Sequence, residues 1–286
     1  MTNAIELRDL RKKYETFTLD GVSLTLPMGC IMGFIGENGA GKSTTIKAML
    51  GLIEKDGGDI RLLGRDPAAD RSVMEEVGLV LDSGFFPPEM NALHLGKALS
   101  KIYKRWDRAA YRAYLERFQI ESGKKIKAYS RGMVMKLSLA AALSHGAKLL
   151  LLDEATSGLD PIVRDDILDI LYDYIQDEGH SVFLSSHITG DLEKIADYIT
   201  FIHQGKIFLS GEKDALLETY GLFHGSREQL AELAPATVVG YRDSDFGVTA
   251  LVKRYEMPGD LPVENATLDD LMLYSIKGKK PGKERR

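Results

Sequence analysis

The segment Gly36-Glu37-Asn38-Gly39-Ala40-Gly41-Lys42-Ser43-Thr44 fits the spacing G-x-x-x-x-G-K-[ST]. Each residue type in it suits one chemical task. Gly36, Gly39 and Gly41, with the small Ala40 among them, let the backbone curl so that successive N–H groups face one anion. A helix starting at the end of the loop adds its positive terminus. Lys42 can then reach outer phosphate oxygens, and Ser43 can offer a hydroxyl to Mg²⁺. Asn38 and Thr44 complete the cradle. A second constellation lies far along the chain, where Asp153 closes the apolar run Leu149-Leu150-Leu151-Leu152 and Glu154 follows. A carboxylate at the C-terminal end of a parallel strand faces the ligand crevice. Asp153 is therefore suited to hold Mg²⁺, through water, and Glu154 to orient or deprotonate an attacking water. His187, directly after Ser181–Ser186, reads on its own as a structural or solvent-facing histidine.

These residues work only if strands and helices bring them together. Ile31-Met32-Gly33-Phe34-Ile35 reads as a buried strand, and Ser43 to Leu50 as a helix after the loop. Val77–Leu81, Leu149–Asp153 and Ser181–Ser186 are short apolar runs suited to a sheet covered on both faces. Asp160 suits an N-cap and Pro161 the first position of a helix through Ile167, Ile170, Leu171, Tyr174 and Ile175. Another helix passes Leu192 and Ile195. Tyr198–Ile202 and Lys206–Ser210 flank His203-Gln204-Gly205 as a hairpin. Near the N-terminus, Ala4–Arg8, Phe17–Leu19 and Val22–Leu26 read as short strands, with a turn at Asp20-Gly21 and a further strand at Asp59–Leu63. Between about residues 83 and 146 the pattern turns helical. Leu95, Leu99, Ile102 and Tyr103 mark one helix, Tyr111, Tyr114, Leu115 and Phe118 a second, and a third starts after Ser130. Beyond about residue 220 the signal weakens to paired strands at Thr237–Tyr241 and Val248–Val252 and a helix at Thr267–Tyr274. The expected fold class is α/β: a P-loop core with a mostly parallel sheet, an antiparallel β subdomain, a helical insertion, and a small C-terminal α+β appendix. The expected domains are 1–220 and 221–286.

A net charge of -5 argues against general nucleic-acid affinity, since phosphate neutralisation needs a basic excess. One cysteine, Cys30, excludes an internal disulfide and fits a reducing compartment. No apolar run approaches the roughly 20 residues that span a bilayer. A membrane role would have to come through a partner. The basic stretch from Lys277 to Arg286 reads as a solvated, frayed terminus, with contact to anionic lipid as the minority reading.

Together the ordered motifs resemble the ATPase subunit of an ATP-binding cassette (ABC) transporter, over about residues 4–215. The resemblance implies ATP and Mg²⁺ as ligands. It makes Gly36–Thr44 the Walker A loop, Leu149–Asp153 the Walker B strand and Glu154 the catalytic carboxylate. Ser157–Asp160 becomes the D-loop and His187 the switch histidine that contacts the γ-phosphate. Tyr14 falls where the family places an aromatic that stacks on adenine; Phe17, the competing aromatic, reads as a strand residue that packs. The family's signature loop corresponds to Tyr129-Ser130-Arg131-Gly132-Met133, where Arg131 replaces a glycine and Met133 the glutamine. Ser130 and Gly132 keep a hydroxyl and N–H groups at a helix start, which can still bind a γ-phosphate. In the family this loop completes the site of a facing protomer, so a homodimer, or a heterodimer with a similar ATPase, is implied. Lys124, Lys125 and Lys127 read as a solvated loop.

Where the family places a glutamine that touches Mg²⁺, this chain has Asp82, an acceptor-only carboxylate. Beside phosphate oxygens at 4 Å its charge costs about 1–4 kcal/mol unless a cation intervenes. Asp82 is thus expected to make hydrolysis more dependent on Mg²⁺. An Asp82→Gln variant with unchanged rate and Mg²⁺ dependence would contradict this. Asp82 and Arg131, with Lys104-Arg105-Trp106-Asp107, resemble a subgroup of bacterial exporter ATPases for peptides or peptide antibiotics. The implied partner is a separate transmembrane permease. It would hold the subunit at the cytoplasmic face of the membrane, and Phe85, Phe86, Pro87, Pro88 and Met90 would line a groove for its coupling helix. A soluble ABC ATPase of repair or translation usually carries a coiled-coil insertion or a second cassette, and this chain has neither. A P-loop kinase has no reason to hold Ser130, Ser157–Asp160 and His187 in this order.

Overall fold

The computed structural model describes residues 3–81, 86–245, 247–259 and 261–281. The chain divides into two compact units, residues 1–210 and 211–286. In the first, β1 (Asn3–Lys13), β2 (Thr18–Pro27), β3 (Ile31–Ile35), α1 (Lys42–Met49), β4 (Gly57–Leu62) and β5 (Val77–Leu81) lead into three helices, α2 (Ala92–Leu99), α3 (Arg108–Arg117) and α4 (Arg131–Leu143). Then follow β6 (Leu149–Asp153), α5 (Pro161–Tyr174), β7 (Ser181–Ser186), α6 (Thr189–Ile195), β8 (Tyr198–His203) and β9 (Lys206–Glu212).

The central sheet has the order β5-β6-β7-β3-β8-β9. Its β5–β6, β6–β7, β7–β3 and β3–β8 pairs are all parallel. The reason lies in composition: Leu149–Leu152 and Val182–Leu184 are fully buried, the pattern of strands covered on both faces. Each such leucine contributes about 1.5–3 kcal/mol by leaving water. β8 and β9 are joined through Gln204 and Gly205, both at positive φ (47° and 77°), the twist-matched two-residue hairpin turn.

The second sheet, β2-β1-β4, is antiparallel. It corrects one expectation. Asp20-Gly21 is not a turn between two strands, because β2 runs unbroken through it. The register between β1 and β2 shifts between Leu7 and Leu10, with Asp9 at φ 50° and Gly21 at φ 73°. A glycine inside a strand pattern marked a bulge, and the bulge keeps Leu19, Val22, Leu24 and Leu26 on the buried face.

The helical region starts where α2 begins at Ala92, capped by Asn91, whose side chain accepts from His94 N at 2.8 Å. α2 stops at Leu99, earlier than its apolar spacing suggested, and Ile102 is 70% exposed. Asp107 ends the loop that follows and caps α3 by accepting from Ala109 N and Ala110 N. Tyr103 stacks on buried His145 with ring centroids 4.1 Å apart. Tyr111 reaches back to donate to Ala92 O at 2.9 Å, which ties α3 to α2. Of the expected groove, Pro87 and Pro88 are exposed, Phe86 and Met90 are half-buried, and Phe85 lies outside the described residues. Lys125 and Lys127 both pair with Glu89, at 2.8 and 2.7 Å, on the exposed surface.

The second unit contains α7 (Lys213–Thr219), β10 (Tyr220–Gly225), α8 (Arg227–Glu232), β11 (Val238–Ser244), β12 (Gly247–Lys253), β13 (Val263–Asn265) and α9 (Leu268–Lys277). Its antiparallel sheet has the order β11-β12-β10-β13 around Phe223, Val238, Ala250 and Val252. Lys279 is not frayed. Its N–H and C=O pair with Tyr241 on β11, and its ammonium meets Asp243.

Candidate nucleotide site

β6, β7 and β3 are neighbours, so the residues following them converge on the C-terminal edge of the sheet. The loop after β3 needs glycine at two positions for physical reasons. A Cβ on Gly36 would stand 2.6 Å from Ile202 O. Gly41, at φ 118°, precedes α1, and a Cβ there would meet Leu19 Cδ2 at 2.7 Å and Phe17 Cζ at 2.9 Å. The loop is anchored by Ala40 N donating to Glu37 O (3.1 Å) and by Gly205 N donating to Ala40 O (2.9 Å). No side chain caps α1, so its first N–H groups keep their capacity for an anion.

Lys42 is only 5% exposed and donates to Gly36 O at 2.6 Å and Glu37 O at 3.3 Å. Its ammonium also lies 2.9 Å from Glu154 Oε1. That approach is one of charge rather than an aligned hydrogen bond, and buried Oε1 has no directed donor. The other oxygen, Oε2, is 2.7 Å from His187 Nδ1. Lys42, Glu154 and His187 thus form one chain of contacts, with His187 at its open end. Glu154 sits at φ 54°, in the left-handed region. Asp153 Oδ1 accepts from Ser185 Oγ at 2.6 Å.

A cavity of about 420 Å³ adjoins this chain, lined by Phe17, Asn38, Gly39, Lys42, Ser43, Thr44 and Glu154, among others. Tyr14 is not in the lining. It is 41% exposed, with Lys12 Nζ 5.6 Å above its ring. Phe17 stands just before β2, and its ring both packs on the core and borders the cavity.

The donor set suits Mg²⁺. Ser43 is exposed on the first turn of α1, Asp153 is half-buried at the end of β6, and Glu154 Oε1 is a buried acceptor lacking a directed donor. Among the described residues no three His, Cys, Asp or Glu are grouped to hold a metal by themselves. Mg²⁺ characteristically takes one or two protein oxygens and fills its shell with phosphate oxygens and water. Asp82 lies outside the described residues.

Ser130 and Gly132 are absent from the cavity lining. Ser130 is the exposed N-cap of α4 and accepts from Met133 N at 3.2 Å. Gly132 is buried, and a Cβ there would sit 2.9 Å from Val163 Cγ1 on α5. Arg131 lies against Gly158, where a Cβ would collide with its guanidinium. Asp160 caps α5 by accepting from Val163 N at 3.1 Å. Ser185 belongs to no motif of the sequence; with Ser186 it closes a fully buried strand after the apolar Val182–Leu184, which was the available signal.

The family model for ABC transporters matches residues 19–157. A lantibiotic transport ATP-binding protein of Streptococcus pyogenes, SrtF, is 32% identical over 77% of this chain and 96% of its own length. The chain belongs to the ABC transporter ATP-binding family. It is thus an ABC ATPase that binds ATP and couples its hydrolysis to transport. The bacitracin transport ATP-binding protein BcrA of Bacillus licheniformis is 32% identical over 72% of this chain and 69% of its own. A solved structure described as the ATP-binding subunit of an ABC transporter superposes with a TM-score of 0.68 at 25% identity, covering 74% of this chain and 91% of the other. The mixed α/β fold with a parallel sheet and separate antiparallel strands is that of these ATPases.

Proposed function

We propose that this ABC ATPase is the motor of an exporter, closing as a dimer around two ATP and driving a separate transmembrane permease. The observation that carries the reading is the contact chain Lys42–Glu154–His187 beside the glycine loop. A cation for phosphate, a carboxylate for water and an imidazole that can sense the γ-phosphate meet in one place. When ATP enters, Lys42 turns from Glu154 to the outer phosphates. Glu154, still held by His187, then faces the attacking water as general base, a role worth about 10²–10⁴-fold in rate. Ser43 and Asp153 would hold Mg²⁺ together with the phosphates, and the bound ion would supply positive charge for the phosphoryl oxygens. Tyr14 or Phe17 supplies the aromatic surface for adenine.

Ser130 and Gly132 lie outside the lining of their own chain's cavity, as they must if they complete the site of a second copy. A similar ATPase in place of that copy would make the same closure as a heterodimer. Peptides or peptide antibiotics are the proposed cargo, supported by the lantibiotic and bacitracin transport proteins among the relatives. Among the described residues no helix is long and apolar enough to cross a membrane. On the proposed reading the subunit sits at the cytoplasmic face through its permease.

Glu154→Gln should bind ATP with near-normal affinity and hydrolyse it at least about 100-fold more slowly. Full hydrolysis by this variant would contradict the assignment of Glu154. Affinity purification from membranes should bring down one polytopic membrane protein, and the peptide that raises ATPase activity in that complex identifies the cargo. Recovery without any membrane protein would favour a soluble ATPase instead.

A further inference from the structure

We infer that Ser185 is a positioning residue for the hydrolytic site, setting the orientation of Asp153 toward Mg²⁺ and the backbone of Glu154 through one hydroxyl. The inference rests on the reading of Asp153 and Glu154 given above. Ser185 is fully buried in β7, between Leu184 and Ser186. It is the direct register partner of Asp153 in the parallel β6–β7 pair. A serine hydroxyl has one proton and two lone pairs. Here Oγ donates to Asp153 Oδ1 at 2.6 Å and accepts from Glu154 N at 3.3 Å. With the Glu154 N–H on a lone pair, the single proton is committed to Asp153.

Two consequences follow at the carboxylates. Oδ1 of Asp153 is engaged, which fixes the plane of the group and leaves Oδ2 as its free oxygen for a metal or a metal-bound water. The N–H of Glu154 is forked between Ser185 O at 3.1 Å and Ser185 Oγ, which secures a residue in the left-handed region at φ 54°. His187, two residues on and just past the end of β7, holds the other end of Glu154. Packing alone does not require this arrangement, since alanine has almost the same volume and every neighbour on the strand is buried. What alanine removes is the donor.

The test compares full-length wild type, Ser185→Ala and Ser185→Thr. Removing an outer partner of a metal ligand typically costs about 10- to 100-fold in metal affinity. Ser185→Ala should therefore need about 10-fold or more Mg²⁺ for half-maximal ATP hydrolysis. Binding of a fluorescent ATP analogue in EDTA should match wild type, while the tightening produced by Mg²⁺ should be lost. Ser185→Thr, which keeps the hydroxyl, should recover most of that tightening. Wild-type Mg²⁺ dependence in Ser185→Ala would overturn the inference. So would an equal loss of nucleotide affinity with and without Mg²⁺ in both variants, which would mark a structural role. If Ser185→Ala does not fold, Ser185→Cys serves: its weak, long donor should raise the Mg²⁺ requirement, and an unchanged requirement would overturn the inference. Wild-type protein whose hydrolysis ignores Mg²⁺ would instead remove the underlying reading of Asp153.

Discussion

Lys42 and Glu154 have only 5% and 16% side-chain exposure, and their charged ends lie 2.9 Å apart. Desolvating an unpaired ion costs several kcal/mol, so each is the other's counterion until phosphate arrives. That dependence explains why a glycine loop by itself says little about chemistry: its lysine is shared with a carboxylate more than 100 residues away. The two aromatics near the cavity differ in a testable way. Phe17 borders it, while Tyr14 is exposed and engaged by Lys12. Stacking on a base contributes about 1–3 kcal/mol, or roughly 5- to 150-fold in affinity. If Tyr14 swings onto adenine, Tyr14→Ala should weaken ATP binding by that factor and Phe17→Ala should not. The reverse ranking by isothermal titration would move the adenine to Phe17.

At the scale of elements, His145 gives the helical region a pH dependence with a definite sign. Burial lowers its pKa from the ordinary 6.5, against a smaller opposing effect of its contact with Glu75 O. The native state therefore holds a neutral imidazole stacked on Tyr103. As pH falls below 6.5 the unfolded chain takes up a proton that the native chain refuses. Stability is then lost, at up to about 1.4 kcal/mol per pH unit, until the lowered native value is reached. Above 6.5 this contribution is constant. His145→Phe, which keeps a stacking ring, should flatten the slope of unfolding free energy between pH 6.5 and 5.5. An identical slope would place the acid sensitivity elsewhere.

The elements differ in how plainly the sequence announces them, for physical reasons. β3, β6 and β7 are short unbroken apolar runs because both their faces are covered. α4 and α5 are marked by Ser130 and Asp160, whose side chains do cap them. β1 and β2 are longer than their apolar fragments, since the register shift lets Asp9 and Gly21 stay within the strands. α2 is shorter than its period, because Ile102 belongs to an exposed turn. In the second unit β10, β13, α7 and α8 have three to seven residues each, too few for a period to register. At the site, Gly36–Thr44, Asp153 and Glu154 were legible from spacing. Phe17 reads there as the packing alternative to Tyr14, and Ser185 was not legible, because a serine within a strand is an ordinary packing residue until the fold sets it beside Asp153.

For the whole molecule, the arrangement is proposed to be half of an ATP site. The glycine loop and Glu154 border one cavity, and His187 reaches it through Glu154, while the Ser130–Gly132 helix start lies outside its lining. Face-to-face closure of two copies around ATP is the central proposal. It is tested most directly by measuring the mass of Glu154→Gln by light scattering during size exclusion, with and without Mg-ATP. The claim predicts the mass of one chain without nucleotide and of two chains with Mg-ATP, with Ser130→Ala or Gly132→Asp in the same background returning the protein to one chain. A single-chain mass at saturating Mg-ATP, in a variant shown to bind the nucleotide, would contradict it.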